Sequence, residues 1–191
     1  NPNHWLFKRA VAGGGILTWL GCHWLDLVRY LTGDEYASVS AQLATLGDDG
    51  IDVEDTAAVT FRLAGGAVGS LYAGYLLPSG PAGYEGTSYD QAVILRGTAG
   101  TVTFQRDRPL LLESIAPGWG DASPRAYDFT LPAARGYGGR HGLAFFQRFF
   151  SATPDEATLP GAVDALRVLE VLDAIYEAGR TGRTVEVARQ V

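Results

Sequence analysis

Between Thr18 and Leu31, apolar residues recur at offsets of four, three and four: Leu20, Trp24, Leu27 and Leu31. That spacing predicts a helix with one apolar face, and Gly33 and Asp34 follow as its stop signal. Trp19, His23, Asp26 and Tyr30 form a second stripe at the same period, so another face carries aromatics, an imidazole and a carboxylate. Residues 1–12 have no clear period and predict an irregular lead-in.

The middle of the chain reads as strands. SVSAQLATL (38–46) alternates, and DGID (49–52) turns the chain. TAAVTFRL (56–63) puts Val59, Phe61 and Leu63 on one face, with Thr60 and Arg62 on the other. AGG (64–66) is a tight turn and AVGSLYAGYLL (67–77) returns, which predicts an antiparallel hairpin. PSGPAGYEGTS (78–88) reads as a long loop. QAVILRG (91–97), TVTFQ (101–105), PLLLESI (109–115) and RAYDFTL (125–131) are further strands, with GTAG (97–100) a second hairpin turn.

Helices then return. HGLAFFQRFFSA (141–152) is aromatic on one side. Residues 160–182 form the strongest helical pattern, with Pro160 near the start, Val163, Leu166, Leu169, Ala174 and Ile175 inside it, and Gly179 and Gly182 at the end. TVEV (184–187) reads as a last short strand. Strands are not interleaved with helices, so the class is α+β: a mostly antiparallel open sheet with helices on one face. The outer sheet face carries Thr60, Ser70, Tyr72 and Gly74 rather than Lys and Glu. A face of that kind predicts a subunit interface, an isologous sheet-to-sheet dimer being the commonest closure; the alternative is a partly covered face with scattered apolar residues.

Composition narrows the partners. The 191 residues suit one domain over 1–191. The net charge is -6, and fourteen of the fifteen basic residues are scattered arginines, with Lys8 the one lysine. No basic patch exists to hold a phosphate backbone, so nucleic acid is not an expected partner. No uninterrupted apolar run approaches a membrane span and no signal-peptide pattern is present, so no membrane partner is expected. The single cysteine, Cys22, excludes an internal disulfide and fits a cytoplasmic location. The chain has no Met, so it reads as a processed product, a cut piece or the ordered part of something longer, in which only half of a site is expected to be in view.

Several chemistries lack their motif. GYGGRHG (136–142) comes nearest to a G-x-G-x-x-G but places His141 at the third glycine. A P-loop needs a lysine that is not there, and no G-x-S-x-G elbow occurs. His4, His23 and His141 share no metal-ligand spacing with one another or with Cys22, so no metal site is expected. What remains is GGGILTWLGCHWLDL (13–27). His23 and Asp26, three apart, can meet on a helix face, where a carboxylate fixes the imidazole tautomer and leaves the other ring nitrogen free to move a proton. Gly13, Gly14 and Gly15 remove side chains, so a flat ligand can approach the backbone. The competing reading is a satisfied core histidine with Asp26 as its partner or a local cap.

These residues resemble a family. GGGILTWLGCHWLDLVRYLTG (13–33) is similar to the G-G-G-x-x-x-D-x-G-x-H-x-x-D-x-x-x-x-x-x-G block of the Gfo/Idh/MocA oxidoreductases, the glucose–fructose oxidoreductase and inositol 2-dehydrogenase family. VEDTAAVTFRLAGGAVGSL (53–71), ILRGTAGTV (94–102) and DALRVLEVLDAIYEAGRTGRTVEV (164–187) resemble, in order, further segments of its C-terminal domain. The resemblance implies a glyceraldehyde-3-phosphate-dehydrogenase-like C-terminal fold. It also implies a preceding Rossmann domain that binds NAD or NADP and carries a catalytic lysine, neither of which is in this chain. This half would supply the substrate pocket and a homodimer or homotetramer interface through the open sheet face.

Carried over by position, His23 matches the family's active-site histidine beside the substrate hydroxyl, and Asp26 matches its H-x-x-D acid in a supporting, substrate-side role. Gly13, Gly14 and Gly15 match glycines near the domain junction and the cofactor. Trp19 departs from the pattern: many dehydrogenases of the family carry a catalytic aspartate there, and an indole cannot accept a proton. Trp19 stacks on a sugar face or simply packs. Lys8 and Arg9 reach an anionic group or stand as a solvated pair, and Tyr84 and Tyr89 rim a pocket or tie down a loop. The implied activity is oxidation of a sugar, cyclitol or related polyol. The alternatives are a non-redox binding and dimerising module, or a family member that uses NAD to cleave a glycosidic bond.

Overall fold

The computed structural model describes residues 3–47, 50–75, 91–105, 108–119, 124–129, 139–151 and 160–189. The long loop expected at 78–88, with Tyr84 and Tyr89, lies outside them. The chain divides into two compact units, residues 1–76 with 160–191, and residues 77–159. The α+β class holds, but the strands form two four-stranded antiparallel sheets rather than one.

The first unit opens with a single 3-10 turn, Trp5–Phe7, and a short helix α1, Arg9–Ala12. Local order therefore exists where the sequence pattern suggested an irregular lead-in. A π-helical turn, Leu17–Gly21, leads into helix α2, Cys22–Thr32. Strands β1 (Tyr36–Ala44), β2 (Thr56–Leu63), β3 (Val68–Gly74) and β8 (Val185–Glu186) form the sheet in the order β3-β2-β1-β8. Helix α4, Ala162–Thr181, packs on β1 and on α2.

Strand alternation explains the layering. Val39 pairs with Phe61 and Ala41 with Val59 across β1 and β2, and these side chains join Leu17, Leu25, Val171, Leu172 and Ile175 in one core. Burial of each large aliphatic side chain contributes about 1.5–3 kcal/mol. The opposite sheet face lines up Ser40, Thr60 and Ser70 across three strands, flanked by an exposed Tyr72. The expected outer face is therefore the one turned away from the helices.

The apolar face of α2 is not the one the spacing predicts. Its buried residues are Leu25 and Arg29, in line with Leu17 and Gly21, while Leu31 is 46% exposed. Trp24, Leu27 and Leu31 lie in the same regular α-helix as Leu25 and Arg29 but on a different face, and Leu25 and Val28 meet the core. In α4, Val163 and Leu169 are likewise exposed, and Val168, Val171, Leu172 and Ile175 carry the packing.

Arg9–Thr32 as a whole has the length and apolarity of a membrane crossing, contrary to the reading of the sequence. It is interrupted at residues 13–15, and its Leu17, Leu25 and Arg29 lie in the core, as in a helix that packs within a folded unit.

The second unit holds β4 (Ala92–Gly97), β5 (Gly100–Gln105), β6 (Leu110–Ser114) and β7 (Arg125–Tyr127) in sequential order. Helix α3, Gly139–Ser151, carries Phe145, Phe146, Phe149 and Phe150, stacked in pairs four residues apart; His141 falls in its first turn.

Candidate functional site

The site is built from three consecutive residues ahead of β2. Val53, Glu54 and Asp55 are all at most 2% exposed. Two adjacent carboxylates at that depth need dense hydrogen bonding, because burying an unpaired charge is costly. They obtain it in opposite directions. The Asp55 carboxylate accepts from the amides of Leu46 (2.9 Å) and Gly47 (2.7 Å) and so closes the turn after β1. Burial raises its pKa, but these amides outweigh burial and hold it below the usual range.

Glu54 reaches the glycine run. Its Oε1 accepts from the N–H of Gly15 (2.8 Å), the N–H of Leu17 (3.3 Å) and the Tyr176 hydroxyl (2.7 Å). Its backbone carbonyl accepts from the Ile16 N–H at 3.0 Å. A carboxylate at these free amides is the favourable partner for the start of a helix. Oε2 is buried with no hydrogen-bond partner among the described residues. Tyr176 shares its hydroxyl with Thr18 Oγ1 at 2.9 Å. Burial, reinforced by the Glu54 charge, pushes the Tyr75 hydroxyl up to about 12.

This arrangement accounts for two of the three glycines without a ligand. A Cβ on Gly15 would fall on the Glu54 carbonyl oxygen, and one on Gly14 would fall on the Tyr176 hydroxyl. Gly13 is different: it ends α1 at φ +79 and faces open space. The described residues therefore offer a dinucleotide no backbone cradle at Gly14 or Gly15, whose surroundings are filled by the protein itself.

The π turn continues the hydrogen-bond path. The Gly15 carbonyl accepts from the Trp19 N–H at 3.0 Å, and the Leu17 carbonyl accepts from the Cys22 N–H. Trp19 and Cys22 are half-buried, and burial raises the Cys22 thiol. His23, the next residue, is exposed.

His23 and Asp26 do not pair among the described residues. Asp26 Oδ1 instead accepts from Arg29 Nη1 at 3.0 Å. Arg29 is 9% exposed and also holds Glu35 through two bonds (2.8 and 2.7 Å) and Asp164 at 3.3 Å. The bidentate contact is with Glu35; Asp26 takes a single charge-assisted bond from the same guanidinium and none from the imidazole three residues back. The Arg29 hydrogen bond holds the Glu35 carboxyl below its ordinary value; Asp164 is held low by the Gly161 amide and then by Arg29.

Lys8 stands half-buried just ahead of α1. Its neighbour Arg9 is bound through its amide and Nε to Asp52, at 2.6 and 3.0 Å. Glu54, Tyr176 and Arg29 escaped the reading of the sequence. Their signal was an acidic pair inside an apolar stretch and an arginine in phase with Leu25.

The profile of the GFO/IDH/MocA C-terminal domain matches residues 1–103. A levoglucosan dehydrogenase of Pseudarthrobacter phenanthrenivorans is 27% identical, over 98% of this chain and 55% of its own length. An inositol 2-dehydrogenase of Rhizobium meliloti is 29% identical, over 92% of this chain and 50% of its own. The solved structure of a levoglucosan dehydrogenase in complex with NADH and L-sorbose superposes on 99% of this chain and 55% of that one, with a TM-score of 0.77 and 27% identity. The chain thus spans about half the length of the curated relatives it matches, 55% and 50%. With more than half of its residues matching the profile, the chain belongs to the Gfo/Idh/MocA family, in its C-terminal domain.

Proposed function

We propose that this chain is the substrate-binding and subunit-joining part of an NAD- or NADP-dependent dehydrogenase acting on a sugar, cyclitol or related polyol. The observation that carries this reading is His23. Its imidazole stands exposed at the first turn of α2, with no side-chain hydrogen bond among the described residues, in a fold shared with a levoglucosan dehydrogenase. An imidazole left free in this way can take the proton of a substrate hydroxyl as the carbon beneath is oxidised. Hydride transfer belongs to a nicotinamide held by residues outside this chain. Trp19, carried by the turn before His23, offers an aromatic surface to a sugar ring. Gly13 is the one glycine of the run with open space beside it, and Lys8 lies five residues before it.

The hydroxyl row on the sheet face turned away from α4 is the surface for a second copy. On this reading residues 1–191 alone do not turn over substrate.

The test is a screen of the full-length protein with NAD and NADP against levoglucosan, inositols and aldoses, following absorbance of the reduced nicotinamide. Turnover of one of these, reduced about 10²- to 10⁴-fold by His23→Ala, is the expected result. Binding of neither NADH nor NADPH by the full-length protein would sink the dehydrogenase reading.

A further inference from the structure

Glu54 belongs to no part of the proposed chemistry, yet it holds the start of the turn that carries it. Through Oε1 it anchors the N–H groups of Gly15 and Leu17. The same two residues extend the path with their carbonyls, Gly15 to the Trp19 N–H and Leu17 to the Cys22 N–H. Trp19 and Cys22, the residue before His23, are thus each linked to the Glu54 carboxylate through a single intervening residue. The Ile16 amide, between the anchored pair, ends on the Glu54 carbonyl. Three successive amides thus converge on a single residue that is 2% exposed.

That convergence bears on an unusual local geometry. A π turn is rare and less favourable than the α-helix it interrupts, so something must hold it. Relaxation to α-helix would change the register of Trp19 against His23 by one residue, about 100° around the axis.

We infer that Glu54 is a positioning residue for His23: by fixing the turn Leu17–Gly21 it sets where the Trp19 indole and the His23 imidazole meet substrate. This rests on the role proposed for His23. Glu54 touches neither substrate nor cofactor; it acts through the backbone of residues 15–22.

The test uses the full-length protein and two variants. Glu54→Asp keeps the charge and withdraws the carboxylate by one methylene. Glu54→Gln keeps the length and an acceptor oxygen, and serves where Glu54→Asp does not fold. Two quantities are read, one independent of activity. Amide hydrogen exchange at residues 15–22 is expected to speed by about tenfold in Glu54→Asp while amides in α4 keep their protection. The kcat is expected to fall by about 10- to 100-fold with KM for the nicotinamide unchanged, as for a displaced catalytic group. Glu54→Gln should recover part of that loss. In a His23→Ala background the Glu54 variants should cost nothing further, since a positioning residue acts through the group it positions.

Unchanged exchange at residues 15–22 in a folded variant overturns the anchor. An equal fractional loss of kcat with and without His23 overturns the coupling. If His23→Ala alone leaves kcat at the wild-type value, the proposed role of His23 fails and takes the catalytic half of this inference with it, while the exchange data still judge the anchor.

Discussion

The two ends of α2 are held in opposite ways. At the tail, Arg29 binds Asp26, Glu35 and Asp164, and so ties α2 to the start of β1 and to the first turn of α4. At the head, a buried carboxylate binds backbone amides and a tyrosine hydroxyl, and the exposed imidazole beside that turn is left unpaired among the described residues. The tail pairs its charged groups with one another. The head binds its buried Glu54 Oε1 to main-chain amides and the Tyr176 hydroxyl, and none of these contacts uses the His23 imidazole. Free polar chemistry beside a rigidly held backbone is the arrangement a catalytic group needs.

The sharpest break at the head is Gly15→Ala. The added methyl meets the Glu54 backbone carbonyl, which cannot swing aside as a flexible side chain would. Overpacking of this kind costs about 3 kcal/mol. Gly13→Ala, in open space but at φ +79, should cost about 1 kcal/mol from backbone strain alone. Urea unfolding of the two variants separates packing from ligand approach. If both substitutions leave stability untouched and only weaken ligand binding, the glycines serve a ligand and the head has been misread.

The tail gives the next largest effect. Arg29→Met should cost about 1–2 kcal/mol, a figure held down because its three carboxylate partners are 31% to 41% exposed and screened by solvent. The network also sets a pH response. Glu35 and Asp164 have folded pKa values below their unfolded ones, so their contribution is complete above about pH 4. It is lost as pH falls through the depressed folded values. Asp55 adds to the same acid limb. Denaturation of wild type and Arg29→Met from pH 7 to pH 2 should show two curves that converge in acid. Parallel curves would mean that Arg29 stabilises by packing rather than by charge.

How far this was legible in the sequence differs along the helix. The strand alternation in TAAVTFRL and the Gly66 turn specify the β2–β3 hairpin through local rules alone, and the pairing of Thr60 with Ser70 follows from it. His23 could be singled out because an imidazole beside apolar residues stands out by type. The π turn could not be read: it depends on Glu54, some forty residues distant, supplying acceptors to Gly15 and Leu17. Apolar periodicity counts apolar residues alone, so it placed Leu31 inside and missed Arg29, which is buried through its carboxylate partners. The three-residue spacing of His23 and Asp26 likewise showed that they were within reach, but not that Arg29 was the stronger competitor for the carboxylate.

The smallest effects decide whether head and tail are separate. Asp26→Asn removes one contact of a partly exposed pair and should cost about 0.5 kcal/mol. His23→Ala, exposed and unpaired among the described residues, should leave stability within about 0.5 kcal/mol of wild type. If His23 and Asp26 were instead a packed pair, each substitution would cost more than 1 kcal/mol, and the double variant would cost less than their sum. A double-mutant cycle by thermal denaturation reads this directly. Additive small losses leave His23 free for substrate and Asp26 bound to the tail. A coupling above about 1 kcal/mol would join the two ends and return His23 to the core.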